Sequence, residues 1–422
     1  MKPTVMIILD GAGDVPTCVA YGRSPLAAAR TPGLDQLTTV GHAGLLYPIG
    51  PGIEPETHSG MLNLLGYPLK PDQVPRGPIE ALGCGLAVGD GDLVLRVNFG
   101  TRDEETGLIT DRRVCRSLTV SESETLCRDL VAGLRMEGVP YDVQMQVLRE
   151  YRGCAVIHSR EGRLSDRISN TDPGYPTEHG CVRRAAAYEP CSCYPLDETE
   201  MARSTAATVN DFVHRAEAIL ASHEVNSRRR LAAVPLANCI LTRGPGCGLP
   251  NIEPILSRFG LQFTLLADLP IERGVGKLVG CEVRPYQPGP DRRASYESLQ
   301  AEILKTTMDD QVTVVHIKGP DEYGHDGDFD GKVSCIEDID GTVLDPLVAA
   351  IGDDAILIVT SDHATPCYAG THTADPVPFV VAGPAVTRNG GKEFSEAACA
   401  DLVSPVVEGA QLLPFAISAG QA

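Results

Sequence analysis

Aspartate, glutamate and histidine residues cluster near the two ends of the 422-residue chain, and several of them follow apolar runs. The runs 5–9, 312–317 and 355–359 are apolar enough to form buried strands. Asp and His are ligands that Mn²⁺ and Zn²⁺ accept, so such groups at strand ends could hold metal ions. Two ions about 4 Å apart can clamp the attacking and leaving oxygens of a phosphoryl group. The candidate ligands in these segments are Asp10, Asp321, Glu322, His325, Asp326, Asp328, Asp362, His363 and His372.

A hydroxyl group beside such ions could act as a nucleophile. Thr57 lies in a Pro- and Gly-rich loop that leads into an apolar helical stretch. A helix N-terminus favours an anion because its free N–H groups and its dipole point toward the ligand. A metal next to Thr57 would lower the pKa of its hydroxyl and make it both ligand and nucleophile. Spacing alone leaves open the alternative that Thr57 only caps the helix.

Strand-like and helix-like segments alternate near both ends of the chain. This alternation is typical of an α/β protein with a mostly parallel sheet, whose functional groups lie at the carboxyl ends of the strands. The middle of the chain is richer in charge. Because candidate ligands lie near both ends, we predict one core flanked by helices, built from residues 1–108 and 290–422. Residues 109–289 are then an inserted α+β cap domain that binds substrate.

The formal net charge of −20 restricts the possible partners. It argues against nucleic acid and anionic membrane surfaces. A small phosphorylated or phosphonylated substrate would be repelled at long range, so a local arginine cluster must capture it. No apolar run reaches the roughly 18 residues of a membrane-spanning helix. No signal-peptide pattern is apparent, so we expect a cytoplasmic protein. The sequence indicates no oligomeric state.

The chain resembles the archaeal-type branch of the cofactor-independent phosphoglycerate mutases, in the alkaline phosphatase superfamily. The similarity extends nearly from end to end through ordered blocks. The most specific block is HIKGPDEYGHDG at 316–327. Further blocks are LDG at 9–11, RGPIEALG at 76–83, RVNF at 96–99, DRR at 111–113 and DHATPC at 362–367. The resemblance implies an alkaline-phosphatase-like core and a phosphomutase or phosphotransferase activity.

The resemblance also implies roles for individual residues. One metal would be held by Asp321, His325 and His372. The other would be held by Asp10, Asp362, His363 and the Thr57 hydroxyl. Substrate-binding arginines in the cap would be Arg112, Arg113 and Arg116; further candidates are Arg228, Arg230 and Arg243. Asp172, which follows Thr171, is a candidate catalytic residue. Lys318 is predicted either to contact a phosphoryl oxygen or to form a structural ion pair.

The chain departs from the family pattern around the nucleophile and in the cap. The family carries Ser followed by an acid, where this chain has Thr57 and His58. Ser59 is a less favoured alternative nucleophile, because flanking residues keep the register. In the cap, Val114–Cys115 replaces Ala-Gly, and Gly174 replaces a histidine. His58 adds a group that can titrate near neutrality and take part in catalysis. These changes suggest an altered substrate.

We therefore predict a metal-dependent enzyme that moves a phosphoryl or phosphonyl group to a hydroxyl of a glycerate-type substrate through a covalent Thr57 intermediate. One alternative is a phosphonate-pathway transferase with a nucleotide-activated phosphonate donor. Another is a phosphodiesterase or phosphonate hydrolase, although a closing cap that excludes water argues for transfer. The expected cofactors are two divalent ions, Mn²⁺ or Zn²⁺, since Mg²⁺ suits a histidine-rich ligand set less well.

Overall fold

A computed structural model describes residues 2–16, 22–136, 138–175, 185–286, 288–309, 311–352 and 354–421. The chain forms two compact units, and we describe each by itself. The first unit comprises Met1–Val74 and Ile252–Ala422, and the second comprises Pro75–Asn251. No helix among the described residues is long and apolar enough to cross a membrane.

The strands are β1 (Thr4–Leu9), β2 (His42–Leu46), β3 (Leu93–Arg102), β4 (Ile109–Asp111), β5 (Tyr141–Arg149), β6 (Arg152–Ser159), β7 (Cys239–Cys247), β8 (Phe263–Leu266), β9 (Glu282–Arg284), β10 (Val312–Ile317), β11 (Ile356–Ser361) and β12 (Val377–Ala382). The helices are α1 (Pro25–Ala28), α2 (Pro32–Val40), α3 (Thr57–Leu64), α4 (Arg76–Gly83), α5 (Val120–Met136), α6 (Glu200–Ala221), α7 (Glu224–Leu231), α8 (Ile255–Phe259), α9 (Pro270–Val279), α10 (Arg292–Asp309), α11 (Pro320–Asp326), α12 (Phe329–Ile339), α13 (Asp345–Ile351), α14 (Glu396–Ala400) and α15 (Gly409–Gln421). A π-helical turn, Asp340–Leu344, joins α12 to α13.

A seven-stranded sheet forms the centre of the first unit, in the order β2-β12-β11-β1-β10-β8-β9. The five strands from β11 to β9 run parallel, while β12 and β2 are antiparallel to their neighbours. Every residue of β1, β10 and β11 is buried, as expected for strands covered on both faces by helices. The predicted α/β class with a mostly parallel sheet is confirmed.

The register of the central strands explains why ligands from distant parts of the chain meet. β1 lies between β10 and β11, and Leu9 is level with Ile317 on one side and with Ser361 on the other. All three strands therefore end at the same edge of the sheet. Asp10 follows β1 directly, Asp362 follows β11 directly, and α11 begins three residues after β10.

The second unit is built on an antiparallel sheet. Its strands have the order β4-β3-β6-β5, and β7 also pairs with β3. The core of this unit lies between the sheet and helices α5, α6 and α7, and it includes Leu126, Leu130 and Phe212. Segregated helices and antiparallel strands make this an α+β unit.

The unit boundaries differ from the predicted positions at 108/109 and 289/290. β3 pairs with β6 and β7, so the segment from Pro75 onward belongs to the antiparallel sheet. β8 and β9 continue the parallel sheet beyond β10, so the segment from Ile252 onward belongs to the first unit. Strand pairing decides these boundaries, and pairing partners were not visible in the composition of either segment.

Candidate active site

The six predicted metal ligands form two groups in the first unit. Asp10, Asp362 and His363 form the buried triad, and Asp321, His325 and His372 form the outer triad. Within each triad the potential ligand atoms all lie within 4.8 Å of one another. In the buried triad, His363 Nε2 is 3.4 Å from Asp10 Oδ1 and 3.5 Å from Asp362 Oδ2. In the outer triad, Asp321 Oδ1 is 3.5 Å from Nε2 of both His325 and His372.

The imidazole rings are oriented so that each offers Nε2 to the carboxylates. His325 Nδ1 lies 2.9 Å from the Gly370 carbonyl and His372 Nδ1 lies 2.9 Å from the Pro55 carbonyl. A carbonyl only accepts, so these Nδ1 atoms carry a proton, and Nε2 is the nitrogen that each ring could offer to a metal.

His363 Nδ1 is also held by a hydrogen bond, but its partner is a hydroxyl group. Its Nδ1 lies 3.0 Å from Thr365 Oγ1, and that hydroxyl donates to Asp321 Oδ1 at 2.6 Å. Because Thr365 has one proton to donate, it accepts from His363 Nδ1–H. The ring of His363 also stacks on the ring of His372, with 3.8 Å between centroids. Thr365 therefore links the two triads.

Two buried atoms of the buried triad fit a metal. Asp10 Oδ1 and His363 Nε2 are shielded from solvent and, among the described residues, neither has a hydrogen-bond partner, although they are 3.4 Å apart. Leaving buried polar atoms unsatisfied is costly, and a divalent ion bound by both would satisfy them. The donor set of carboxylates and neutral imidazoles suits Mn²⁺ or Zn²⁺.

Carboxylate charge at this site is maintained by neighbouring cations. Burial alone would raise the pKa of Asp10, but the Lys318 ammonium and the imidazoles of His363 and His316 outweigh it, and the pKa lies well below its usual range. Burial likewise raises the pKa of Asp321, but His372 and other donors lower it to about 2. Both groups are therefore carboxylates at neutral pH, as metal ligands must be.

Thr57 is the first residue of α3, as the loop pattern predicted. The preceding Glu56 and Ser59 form a reciprocal capping pair, so the Thr57 side chain is not the N-cap. The start of α3 packs directly against the buried triad: a Cβ on Gly60 would lie 2.2 Å from the Asp362 carbonyl oxygen. Thr57 is 7% exposed. The capping role left open by the sequence therefore belongs to Glu56, and the Thr57 hydroxyl is available for another role.

His58 and Lys318 have partners that the sequence did not reveal. His58 is buried on α3, with Nε2 2.8 Å from the Val74 carbonyl and Nδ1 3.6 Å from Glu56. Lys318 Nζ lies 2.7 Å from Asp10 Oδ2 and 2.8 Å from Glu272 Oε1. Lys318 therefore forms ion pairs, and its contact with a phosphoryl oxygen stays a prediction.

The second unit gathers arginines around a tyrosine. Arg112 binds Asp172 through two hydrogen bonds of 2.5 and 2.8 Å, and both side chains are buried. The Arg112 guanidinium lies 4.9 Å from the centroid of the Tyr175 ring, and that of Arg243 lies 4.2 Å from it. Burial raises the pKa of the Tyr175 phenol, but Arg243, Arg112 and Arg113 outweigh it and lower the pKa.

More arginines adjoin Arg243. Burial lowers the pKa of Arg96 to about 10; the Glu80 carboxylate opposes this shift, while Arg76, Arg243 and Arg152 add to it. Glu80 Oε2 lies 2.8 Å from Arg96 Nε. We call the following set the arginine cluster: Arg76, Arg96, Arg112, Arg113, Arg152 and Arg243. Among the described residues, the buried carboxylates paired with this cluster are Asp172 and Glu80, so its guanidinium groups outnumber them.

These geometries can be compared with known proteins. The family model described as 2,3-bisphosphoglycerate-independent phosphoglycerate mutase matches residues 39–226. A relative of that name from Aeropyrum pernix is 37% identical, over 98% of this chain and 98% of its own. The chain belongs to this family. It is therefore a phosphomutase-type enzyme, as the sequence blocks predicted. A second mutase, from Archaeoglobus fulgidus, is 34% identical over 93% of this chain and 92% of its own.

Solved structures support the fold of this mutase family member. The cofactor-independent phosphoglycerate mutase from Thermoplasma acidophilum is 27% identical, with a TM-score of 0.66 over 99% of each chain. The PH0037 protein from Pyrococcus horikoshii is 23% identical, with a TM-score of 0.78 over 100% of this chain and 97% of that one. The second similarity shows the fold alone.

Not every predicted arginine of this mutase family member joins the cluster. Arg228 and Arg230 lie on α7, exposed, in ion pairs with Glu224 and Glu104. The residue between them, Arg229, is 4% exposed and was missed. Its guanidinium binds Ser117 and Glu122. Helical spacing could have indicated this, because Asn226 and Arg229 are three residues apart and lie on the buried face.

Arg116 ends an unusual backbone turn. Val114, Cys115 and Arg116 have φ of 52, 51 and 52°, a left-handed conformation that is costly for a β-branched residue. Asp111 Oδ1 accepts hydrogen bonds from the N–H groups of Arg113 and Cys115, at 2.6 and 3.0 Å. Since Arg229 holds Ser117 on the other side, the turn is fixed at both ends.

The departure at Gly174 has a steric explanation. A Cβ at this position would lie 2.1 Å from Arg112 Cζ. In this chain the Arg112 guanidinium occupies the space that a side chain at 174 would need, and the Gly174 N–H donates to Asp172 at 3.1 Å. The glycine therefore allows Arg112 and Asp172 to pair in this arrangement.

Two further residues were missed by sequence reasoning. Lys332 is fully buried, and its Nζ lies 3.0 Å from Asp14 Oδ2 while donating to the carbonyls of Gly13 and Thr365. It joins the loops that follow β1 and β11, which carry the buried triad. Glu272 is fully buried beside Lys318. Neither lies in a motif that indicates its partners, since both contacts are between segments distant in sequence.

Proposed function

We propose that the protein interconverts phosphoglycerates by moving a phosphoryl group between glycerate hydroxyls through a covalent phospho-Thr57 intermediate. The observation that carries the proposal is the position of Thr57. It stands at the N-terminus of α3, whose first turn packs against Asp362 of the buried triad. A helix N-terminus favours the phosphoryl oxygens as charge accumulates on them.

Two divalent ions fit the triads. The buried triad with the Thr57 hydroxyl would hold one, and the outer triad would hold the other. When bound, such ions lower the pKa of a hydroxyl and stabilise charge on phosphoryl oxygens. Gly370, Pro55 and Thr365 engage the Nδ1 atoms, so Nε2 is the nitrogen that each imidazole would offer to an ion. We propose Mn²⁺ or Zn²⁺ on the basis of the donor set.

The chain's own groups perform the transfer in two displacements. In the first, Thr57 Oγ1 attacks phosphorus, an Oγ1–P bond forms, the bond to the substrate oxygen breaks, and the Oγ1 proton passes to that oxygen, which leaves as a hydroxyl. In the second, another hydroxyl of the same glycerate attacks the phospho-threonine, and Thr57 Oγ1 leaves. Lys318 keeps Asp10 ionised throughout.

The arginine cluster of the second unit is the proposed binding site for the acidic substrate. Arg243 and Arg112 flank Tyr175. A planar guanidinium group can donate two parallel hydrogen bonds to a carboxylate or a phosphate. Asp172 orients Arg112 through a bidentate pair. The local excess of cations would attract an anionic substrate, although the net charge of −20 repels it at long range.

A ³¹P NMR time course with Mn²⁺-loaded protein and 3-phosphoglycerate tests the proposal. We expect 2-phosphoglycerate to appear and reach a steady ratio. Inorganic phosphate as the sole product would indicate a hydrolase instead. No turnover by protein with confirmed metal would contradict the proposal, and a nucleotide-activated phosphonate would then be the next donor to assay.

The covalent step has its own test. Protein quenched in acid during turnover should carry a phosphoryl group on Thr57, detected by peptide mass spectrometry. A phosphoryl group found on Ser59 would identify Ser59 as the nucleophile instead of Thr57. The structure argues against that outcome, because Ser59 Oγ donates to the Glu56 carbonyl and accepts from the Glu56 N–H.

A further inference from the structure

Glu272 is a fully buried carboxylate on the first turn of α9. Its Oε2 accepts a hydrogen bond from the Leu269 N–H at 3.2 Å, which caps the helix. Its Oε1 contacts two basic groups, Lys318 Nζ at 2.8 Å and His316 Nδ1 at 3.3 Å. A carboxylate needs only one oxygen to cap a helix, so the second oxygen has a separate role.

The two basic groups lie on one face of the chain at the end of β10. His316 is within the strand and Lys318 follows it two residues later, so both side chains point to the same side. Both contact residues of the buried triad, and His316 Nε2 also lies 3.8 Å from Asp10 Oδ1. His316 Nε2 lies 3.1 Å from Asp362 Oδ2, and Lys318 Nζ lies 2.7 Å from Asp10 Oδ2.

Glu272 thus joins two parallel chains of charged contacts. One runs from Glu272 through His316 to Asp362, and the other from Glu272 through Lys318 to Asp10. With its Oδ2 held by Lys318, Asp10 presents Oδ1, the atom that lacks a hydrogen-bond partner, toward His363 at 3.4 Å. The contacts therefore set which carboxylate oxygen is offered to an ion.

Charge explains why a third carboxylate is needed here. A buried ammonium beside Asp10 would compete with a divalent ion for that carboxylate and would repel the ion directly. Glu272 also pairs with the Lys318 ammonium and offsets part of its positive charge. The Asp10 carboxylate is therefore less fully neutralised and can bind the metal. The described contacts of Glu272 include none with Asp321, His325 or His372.

Rigid supports hold both ends of this arrangement. The Tyr296 hydroxyl donates to the Lys318 carbonyl at 2.8 Å, which fixes the backbone that carries the lysine. Helix α9 packs against α3, the helix that begins with Thr57. The contacts are therefore pre-organised by two helices outside the triads.

We propose that Glu272 is a positioning residue that sets the metal affinity of the buried triad, and not of the outer triad, through Lys318 and His316. The proposal rests on the proposed function, since it assumes that both triads bind divalent ions. It predicts an asymmetry between the two sites that a purely structural carboxylate would not produce.

The test is a calorimetric titration of metal-free protein with Mn²⁺, comparing the wild type with Glu272→Gln. The glutamine can still accept from the Leu269 N–H, so the cap is retained. We expect one of two binding steps to weaken by about 10- to 100-fold, as for other groups that orient metal ligands. In a His325→Ala background, which removes the outer site, the same weakening should persist. In a His363→Ala background it should vanish.

Two further variants separate charge from folding. Asp340→Asn is the matched control: Asp340 is also a fully buried carboxylate of the first unit that binds N–H groups, those of Gly33 and Leu34. It should lower the melting temperature without changing Mn²⁺ affinity. The double variant Glu272→Gln with Lys318→Met should bind more tightly than Glu272→Gln alone, because the uncompensated ammonium is gone.

The outcomes distinguish the two proposals. If the wild type binds two Mn²⁺ ions and both affinities are unchanged in Glu272→Gln, the role of Glu272 is wrong and the metal proposal stands. The same holds if both sites weaken equally. Fewer than two Mn²⁺ ions per wild-type chain would reject the metal proposal and this inference together. Selective weakening of the buried site, with the charge rescue, would establish both.

Discussion

The two units of the protein build their functional groups in opposite ways. In the first unit, the buried triad stands at the end of parallel strands, and each ligand has at least one fixed partner, such as Thr365 for His363. In the second unit, the arginine cluster comes from an antiparallel sheet and its turns, and positive charge exceeds negative. The first arrangement concentrates carboxylates and imidazoles, and the second concentrates guanidinium groups.

This difference shows where each unit can tolerate change. Parallel strands that end together place ligands within a few ångströms without special loops. The arginine cluster instead depends on individual side-chain pairs, Arg112 with Asp172 and Arg96 with Glu80, and on a left-handed turn at 114–116. We therefore expect first-unit changes to affect chemistry and metal binding, and second-unit changes to affect substrate binding and local stability.

The largest expected effect is on turnover in the first unit. Thr57→Ala removes the proposed nucleophile and should lower kcat on the order of 10⁴-fold or more, as nucleophile removal does elsewhere. A coupled assay of 2-phosphoglycerate formation measures this. Thr57→Ser, which keeps the hydroxyl, should retain activity. Unchanged turnover in Thr57→Ala would reject covalent catalysis by this residue.

The next effect concerns stability in the second unit. Asp172→Asn leaves the Arg112 guanidinium buried without its ionic partner, which should cost about 3 kcal/mol in the free energy of unfolding. Urea denaturation monitored in the second unit would measure it. Mn²⁺ affinity should stay at the wild-type value. A parallel loss of metal binding would break the separation between the two units.

A pH effect of similar or smaller size is expected in the first unit. Burial raises the pKa of Asp340 to about 6, although hydrogen bonds from Gly33 and Leu34 oppose the shift. Because the folded-state pKa lies above the usual value of 3.8, the folded state binds the proton more tightly. The resulting stabilisation is complete below pH 4 and is lost as pH rises through 6, by at most about 3 kcal/mol.

Urea unfolding at pH 4, 5, 6 and 7, spanning roughly the titration range, measures the Asp340 effect. Asp340→Asn cannot titrate, so the difference in unfolding free energy between variant and wild type should change across this range and then level off above it. A constant difference would show that Asp340 does not titrate there.

A smaller effect on substrate binding is expected at Gly174. Gly174→His places a side chain where Arg112 Cζ now lies, so Arg112 must move. Loss of one charge-assisted contact should raise KM for 3-phosphoglycerate by about tenfold, with less change in kcat. The matched control is Gly341→His, at a position with open space around it. Equal KM values for both variants would show that the Arg112 position does not affect binding.

The smallest effect should come from an arginine that the structure places outside the cluster. Arg228 is 66% exposed and pairs with an exposed Glu224. Arg228→Ala should change the free energy of unfolding by less than about 0.5 kcal/mol and leave KM unchanged. Arg229→Ala, in contrast, removes a buried guanidinium and should destabilise the protein clearly more. A raised KM in Arg228→Ala would return this residue to the substrate site.

More of the candidate site could be predicted from the sequence in the first unit than in the second. The six residues of the two triads could be grouped because they lie in the motifs of the resembled family, and the structure brings them together because parallel strands end at a common edge. Thr57 could be placed at a helix start from its Pro- and Gly-rich loop. Arg228 and Arg230 were grouped with Arg112 because residue type alone does not reveal which face of a helix is buried.

The amino-acid sequence by itself determined the α/β class and the family, since these depend on local apolar patterns and ordered motifs. Only the tertiary structure decided the unit boundaries, because strand pairing assigns β3 to one sheet and β8 to the other. It also decided the partners of the buried charges. Glu272 meets Lys318 through a helix distant in sequence, and Gly174 makes room for Arg112. Such contacts depend on packing between segments, which no local pattern encodes.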